Sequence, residues 1–157
     1  MDILSGLCMI HDKSYIHRDL KPENILLQGT TFLNNKPRYI AKIADFGLSA
    51  EIKYGIYSGK NHIDEKMGTL LYMAPEQAQG QVYGKRVDMW ACGIIMYQML
   101  TGDHPYVKVG DNDQTYVNRI ATQEKNVYTI VARVFYVIDH LWCPIFIVTN
   151  GEKSLAP

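Results

Sequence analysis

The stretch Ile16-His17-Arg18-Asp19-Leu20-Lys21-Pro22-Glu23-Asn24 decides how this chain is read. Charged side chains crowd it and Pro22 closes it, so Ser14 to Asn24 is expected as a loop. Upstream, Ile3, Leu4, Leu7, Cys8, Ile10 and His11 recur at helical spacing, which predicts an amphipathic helix over Asp2 to Lys13. That helix starts with no cap sequence before it, which leads us to expect a missing upstream segment. Downstream, Ile25-Leu26-Leu27 and Tyr39 to Ala44 are short apolar runs with Asn34, Asn35 and Pro37 between them. They predict a β-hairpin with a long connection, ending at Asp45-Phe46-Gly47. Gly47 to Met73 has no clear period and reads as a long loop. Val87 to Leu100 is apolar on nearly all faces and is stopped by Thr101-Gly102, the pattern of a helix buried at the centre of a domain. Asp113 to Gln123 predicts one more helix.

The chain has 157 residues, enough for one domain with a real core. Apolar residues make up 47% and charged residues 20%, which excludes wholesale disorder. Lys and Arg together number 16, as do Asp and Glu, so no broadly basic surface exists. Duplex nucleic acid and anionic membrane are therefore excluded as first-choice partners. Cys8, Cys92 and Cys143 are odd in number and in no C-x-x-C pattern, which argues against a disulfide framework or zinc site and for a reducing, cytoplasmic setting. The N-terminus lacks the basic start and apolar run of a signal peptide. Val127 to Val148 is rich in β-branched and aromatic residues. Arg133, Asp139, His140 and Pro144 interrupt it, and a central Arg or Asp costs about 2.5–3.5 kcal/mol on insertion, which argues against a membrane span. That tail is expected to cover core or to promote aggregation if exposed.

Three strings occur in order: His17-Arg18-Asp19-Leu20 with Asn24, then Asp45-Phe46-Gly47, then Ala74-Pro75-Glu76. They match the catalytic loop, the D-F-G triplet and the A-P-E triplet of protein kinases. On these residues the chain resembles the eukaryotic protein kinase family over about Asp2 to Thr122. The resemblance implies a mainly α fold with a short β-hairpin: the large C-terminal lobe, without the N-terminal lobe. Residues 1–122 would be a partial kinase domain and residues 123–157 an atypical hydrophobic tail. Lys21-Pro22-Glu23 resembles the serine/threonine-specific type. Asp45 to Ala50 and Asp88 to Tyr106 are most similar to the calmodulin- and calcium-dependent group.

Phosphoryl transfer needs positioning and charge neutralisation around a triphosphate more than covalent work by the protein. The resemblance assigns Asp19 to the substrate hydroxyl, Lys21 to the transferring phosphate and Thr69 to contact with both. It assigns Asn24 and Asp45 to Mg2+, a cation that takes oxygen ligands, and Lys21, Asn24, Leu26 and Asp45 to ATP. Leu26 also reads as core. Taken singly, Asp19 or Asp45 is a turn or cap residue and Lys21 a solvated lysine. The resemblance implies that His17 and Phe46 stack in a hydrophobic column resting on Asp88; a buried carboxylate there needs partners, and the resemblance supplies backbone amides of the catalytic loop.

By the same resemblance, Arg18 implies regulation by the segment before Gly68: in the family a phosphate commonly pairs with this arginine, and Glu65, next to Asp64, stands at that position here. Tyr57 and Ser58 are further modification candidates. No Gly-rich loop, strand lysine or helix glutamate precedes the catalytic loop. Nothing from Asn126 onward resembles the family, and only Arg133 offers itself as a cation for Glu76. The expected function is a serine/threonine protein kinase truncated to its C-lobe, inactive alone, acting on protein substrates once a missing N-terminal lobe is supplied. The alternatives are a non-catalytic binding or regulatory fragment, and an incomplete gene product. Asp111-Asn112-Asp113 is read as a solvated turn rather than a calcium loop.

Overall fold

Periodic apolar residues at the start of the chain form helix α1 (Asp2–Asp12), with Leu7 buried on its inner face. The computed structural model describes residues 2–33, 36–52 and 66–122, with side chains at 30–38 left aside. After α1 the chain runs through strand β1 (Tyr15–Ile16), the catalytic-loop stretch and a single 3-10 turn (Pro22–Asn24). Strands β2 (Ile25–Leu33) and β3 (Lys36–Ile43) follow, then β4 (Ala50–Glu51) and a 3-10 turn (Leu70–Tyr72). Helices α2 (Pro75–Ala78), α3 (Arg86–Thr101) and α4 (Asp113–Thr122) complete the described part.

The hairpin forms, but not with the long connection its apolar runs predict. β2 and β3 pair antiparallel from Ile25↔Ile43 through Gly29↔Tyr39 and, after an irregularity, on to Leu33↔Lys36. Residues 28–33 and 36–38, between the apolar runs, belong to the strands, because a ladder is held by backbone hydrogen bonds. The second sheet is a two-residue pair, β1 with β4, in the register Ile16↔Ala50. It brings the chain after Asp45-Phe46-Gly47 back beside the start of the catalytic loop.

Two clusters make the core. Leu7, Leu20, Ala91, Cys92 and Ile95 join α1, the catalytic loop and α3, with Ile25 and Ile43 of the hairpin packed against them. Gly6 permits that close packing, since a Cβ there would sit 3.1 Å from Ile43 Cδ1. The larger cluster collects Ile16, Met73, Ala74, Ala78, Tyr83, Val87, Trp90, Ile94, Tyr106, Tyr116, Val117 and Ile120. Trp90 and Tyr106 stack within it, 5.7 Å apart and 4° from parallel.

Helix α3 is buried from Val87 to Ile95, apart from Met89, but Met99 and Leu100 are exposed. The all-round apolar pattern therefore overstates its burial: only the first half lies between the two clusters. Gly102 ends it in the left-handed conformation (φ 81°), donating its amide to Gln98 O at 2.9 Å. Helix α4 is capped by Asn112, whose Oδ1 accepts from Thr115 N and Thr115 Oγ1, both at 2.9 Å. Asp111 pairs with Arg119, which holds its carboxyl down to about 2. Asp111-Asn112-Asp113 is therefore not a solvated turn but the entry to α4: Asp111 is partly buried against Arg119, Asn112 is the cap and Asp113 is the first helical residue.

One carboxylate sets the site in place. Asp88, buried in the first turn of α3, accepts from His17 N and Arg18 N at 2.9 Å each and from His11 Nε2 at 2.8 Å. The backbone-amide partners match the sequence expectation; His11 is an addition. Replacing Asp88 by Ala orphans these donors and is expected to destabilise the chain by about 3 kcal/mol. Urea unfolding checks this, and a loss below about 0.5 kcal/mol would show that Asp88 does not hold the loop.

Candidate functional site

The site is built on the catalytic-loop stretch, the hairpin end and the segment before α2. Arg18 adopts φ +70°, an uncommon conformation for a residue with a side chain, and the adjoining Asp88 bonds hold it there. This bend presents Asp19, which is buried, beside Lys21 and Thr69.

Asp19, Lys21 and Thr69 form a closed ring. Thr69 donates to Asp19 Oδ1 from both its backbone N and its Oγ1, each at 2.8 Å. Lys21 Nζ lies 2.8 Å from Asp19 Oδ2 and donates to Thr69 Oγ1 at 2.9 Å. The Thr69 hydroxyl thus receives one hydrogen bond and gives one, within its capacity. Burial works against the Asp19 carboxylate, but the Lys21 and Thr69 hydrogen bonds outweigh it and hold the carboxyl below the ordinary range. Lys21 is shifted upward, chiefly by its bond to Asp19. Both groups are charged at neutral pH.

Asn24 is buried, and its Nδ2 donates to Asp19 O at 2.8 Å. That bond orients the amide nitrogen toward the loop and leaves the side-chain oxygen as the candidate metal ligand. Asp45 is exposed, at φ +62°, with Oδ1 accepting from Gly47 N at 3.2 Å. The hairpin brings these two positions together. Asn24 immediately precedes the Ile25↔Ile43 pair, Asp45 follows two residues after it, and Ala44 N donates to Asn24 O at 2.9 Å. An amide oxygen and a carboxylate are hard oxygen donors, suited to Mg2+, which takes few protein ligands. Among the described residues no cluster of three His, Cys, Asp or Glu side chains forms a metal cage.

Leu26 is a correction. Its core reading fails, because it is 57% exposed on the face of β2 opposite the one by which Ile25 packs against α1 and α3. Phe46 meets His17 edge-on at 5.2 Å, as the column expectation requires, yet stays half-exposed. His17 is fully buried and its Nε2 carries the proton donated to Ala44 O at 3.0 Å. Glu76 is half-buried rather than sealed in. Glu65, Asp64, Tyr57, Ser58 and Arg133, with the tail from 123 to 157, lie outside the described residues.

Two residues of this site were not singled out for these roles by sequence. Gly68 has φ +117°, and a Cβ on it would lie 2.5 Å from Arg18 O. Gln77, buried in α2, donates Nε2 to Arg18 O at 3.0 Å and to Met67 O at 2.7 Å. A glycine one residue before Thr69 was a visible signal; a glutamine after Ala74-Pro75-Glu76 carried none.

The chain belongs to the protein kinase family. The protein kinase domain pattern matches residues 1–142. The chain is 38% identical over 120 residues to calcium-dependent protein kinase 4 of Plasmodium berghei, covering 76% of this chain and 20% of that protein. It is 38% identical over 123 residues to serine/threonine-protein kinase chk-1 of Caenorhabditis elegans, covering 76% of this chain and 22% of that protein. With the human serine/threonine-protein kinase DCLK3 it shares 42% identity over 106 residues, 68% of this chain and 15% of that protein. The chain thus spans about a fifth of the length of the curated relatives it matches. No described helix is long and apolar enough to cross a membrane.

The Gly68–Arg18 approach makes a prediction. Gly68→Ala pushes the two backbones apart and draws both Thr69 donors from Asp19. The Asp19 carboxyl should then rise toward the ordinary value of about 3.9, read by carbon NMR titration. Stability from the depressed carboxyl is present above about pH 3.9 and lost as pH falls through its folded value, so this acid-side stability should shrink in Gly68→Ala. Thr69→Val, which keeps the backbone donor, should give a smaller rise. An unmoved Asp19 titration in both variants would refute the coupling.

Proposed function

We propose that these residues are the catalytic half of a serine/threonine protein kinase that transfers the γ-phosphate of Mg-ATP to hydroxyls of protein substrates. The observation that carries this reading is the Asp19–Thr69–Lys21 ring, which holds a carboxylate and an ammonium side by side. Asp19 would accept the hydrogen bond of the attacking hydroxyl. Its lowered pKa keeps it ionised, and in a loose transition state orientation of the hydroxyl matters more than early proton removal. The proton would pass to a carboxylate oxygen as the bond from the hydroxyl oxygen to the γ-phosphorus forms and the bond from that phosphorus to the β–γ bridging oxygen breaks, releasing ADP. Lys21 would lie toward the transferring phosphate and offset its charge. Asn24 and Asp45 would hold magnesium, which when bound neutralises phosphate charge. Leu26, apolar and exposed beside this end of the hairpin, suits the flat apolar face of the adenine.

The C-lobe-only reading stands in the proposal as well. This sequence has no G-x-G motif, and phosphate positioning in this family also draws on a Gly-rich loop and a strand lysine paired with a helix glutamate. We expect residues 1–157 alone to transfer phosphate at a negligible rate. Fused behind a segment supplying those parts, the chain should phosphorylate Ser or Thr peptides with labelled Mg-ATP. In that fusion Asp19→Asn should lower kcat by about 10²–10⁴. Full activity in Asp19→Asn, or no transfer by the wild-type fusion, would overturn the assignment.

A further inference from the structure

We propose that Gln77 is a positioning residue, a two-pronged clamp that fixes the Thr69 segment against the catalytic loop and so sets the Asp19–Thr69 contact. Its relevance to phosphate transfer rests on the function proposed above, but the clamp itself can be tested separately.

The clamp follows from how two backbones meet. Gly68, at φ +117°, lies so close to Arg18 O that a Cβ would come within 2.5 Å of it. Arg18 is itself in the left-handed region, at φ +70°. This packing turns two carbonyl oxygens, Arg18 O and Met67 O, toward one side chain. Carbonyls are acceptors only, so they cannot satisfy each other, and a buried acceptor without a donor is costly. Gln77 answers with a single nitrogen carrying two N–H donors, one to Arg18 O at 3.0 Å and one to Met67 O at 2.7 Å. The two acceptors also fix the amide orientation, since the reverse flip would set an oxygen against both.

Gln77 is 2% exposed, so water does not replace it. Its base is rigid: Pro75 and Ala78 of α2 are buried, and Ala74 and Ala78 belong to the larger core cluster. The prongs land one residue before Asp19 and two before Thr69. They therefore hold the spacing across which Thr69 N and Oγ1 both reach Asp19 Oδ1 at 2.8 Å. Gln77 touches neither Asp19 nor Lys21 in the described contacts and acts through the two backbones.

Hydrogen exchange of the full chain reads this directly, because the Thr69 amide is itself one of the donors to Asp19. Gln77→Met keeps the volume and removes both prongs. It should speed Thr69 exchange by about tenfold while amides in α3 and α4 stay within about twofold of wild type. Gln77→Glu adds a readout that packing alone does not move. Ionised, its carboxylate faces two carbonyl oxygens; protonated, it regains one donor. Burial raises such a carboxyl, so protection at Thr69 should partly return between about pH 7 and about pH 5, beyond the pH trend of wild type. Unchanged Thr69 exchange in Gln77→Met overturns the clamp. So does a uniform rise across α3 and α4, or failure of both variants to fold, either of which makes Gln77 a residue of the fold only. If Gln77→Met alone fails to fold, the pH response of Gln77→Glu decides. In the kinase fusion, kcat should fall with the loss of Thr69 protection while KM for ATP holds. An inactive wild-type fusion refutes the proposed function and leaves the exchange result standing for Gln77.

Discussion

The buried carboxylate of Asp88 is the constraint on which the site depends. A carboxylate 1% exposed in an otherwise apolar helix is tolerable only with good donors on its oxygens. The donors it finds are the amides of His17 and Arg18 and the ring of His11. Those amides belong to the residues just before Asp19, so satisfying Asp88 and placing Asp19 are one event. The left-handed Arg18 is the local cost of that placement. His11, at the end of α1, ties a third element to the same oxygen. Helix α1, the loop and α3 consequently share one polar anchor as well as the apolar cluster of Leu7, Leu20 and Ile95.

A second constraint acts from the other side. The Thr69 segment must come close enough to donate twice to Asp19, and only a residue without a Cβ fits at position 68. Close approach of two backbones strands carbonyl groups, and Gln77 takes up two of them. The site is thus gripped between α3, through Asp88, and α2, through Gln77. Neither grip uses the side chains of Asp19, Lys21, Asn24 or Asp45.

Much of this was legible from the residues. Helix α1 followed from apolar spacing and α3 from an apolar run stopped at Gly102, while the Asp88 amide contacts lie where the resemblance placed them. The ring of Asp19, Lys21 and Thr69 was implied by resemblance, since no spacing rule links position 19 to position 69. What stayed hidden depended on three-dimensional neighbours. Gln28 and Gly29 gave no strand signal, because a strand can be held by its backbone ladder whatever its side chains. The exposure of Leu26, Met99 and Leu100 was hidden for the opposite reason: apolar character states what a residue can bury, not whether a neighbour is there. Gln77 was hidden because a glutamine becomes a clamp only where two carbonyls converge on it.

The exposed apolar side chains have a common location that bears on chemistry. Leu26, Phe46, Tyr39 and Ile40 all sit on or beside the hairpin that carries Asn24 and Asp45. A groove of about 660 Å³ opens between α1 and β3, lined by Met9, Ile10, Ile40, Ile43 and Phe46 together with Asp2, Lys13 and Lys42. The polar ring around Asp19 is closed by its own partners, whereas this apolar side of the site is open. Electrostatic stabilisation of a transferring phosphate is strongest where water is excluded. In the function proposed above, the described residues would orient the hydroxyl-side groups but would not by themselves exclude water from the phosphate side. The physical division of labour falls along the hairpin, with preorganised polar contacts on the Asp19 side and unsatisfied apolar surface on the other.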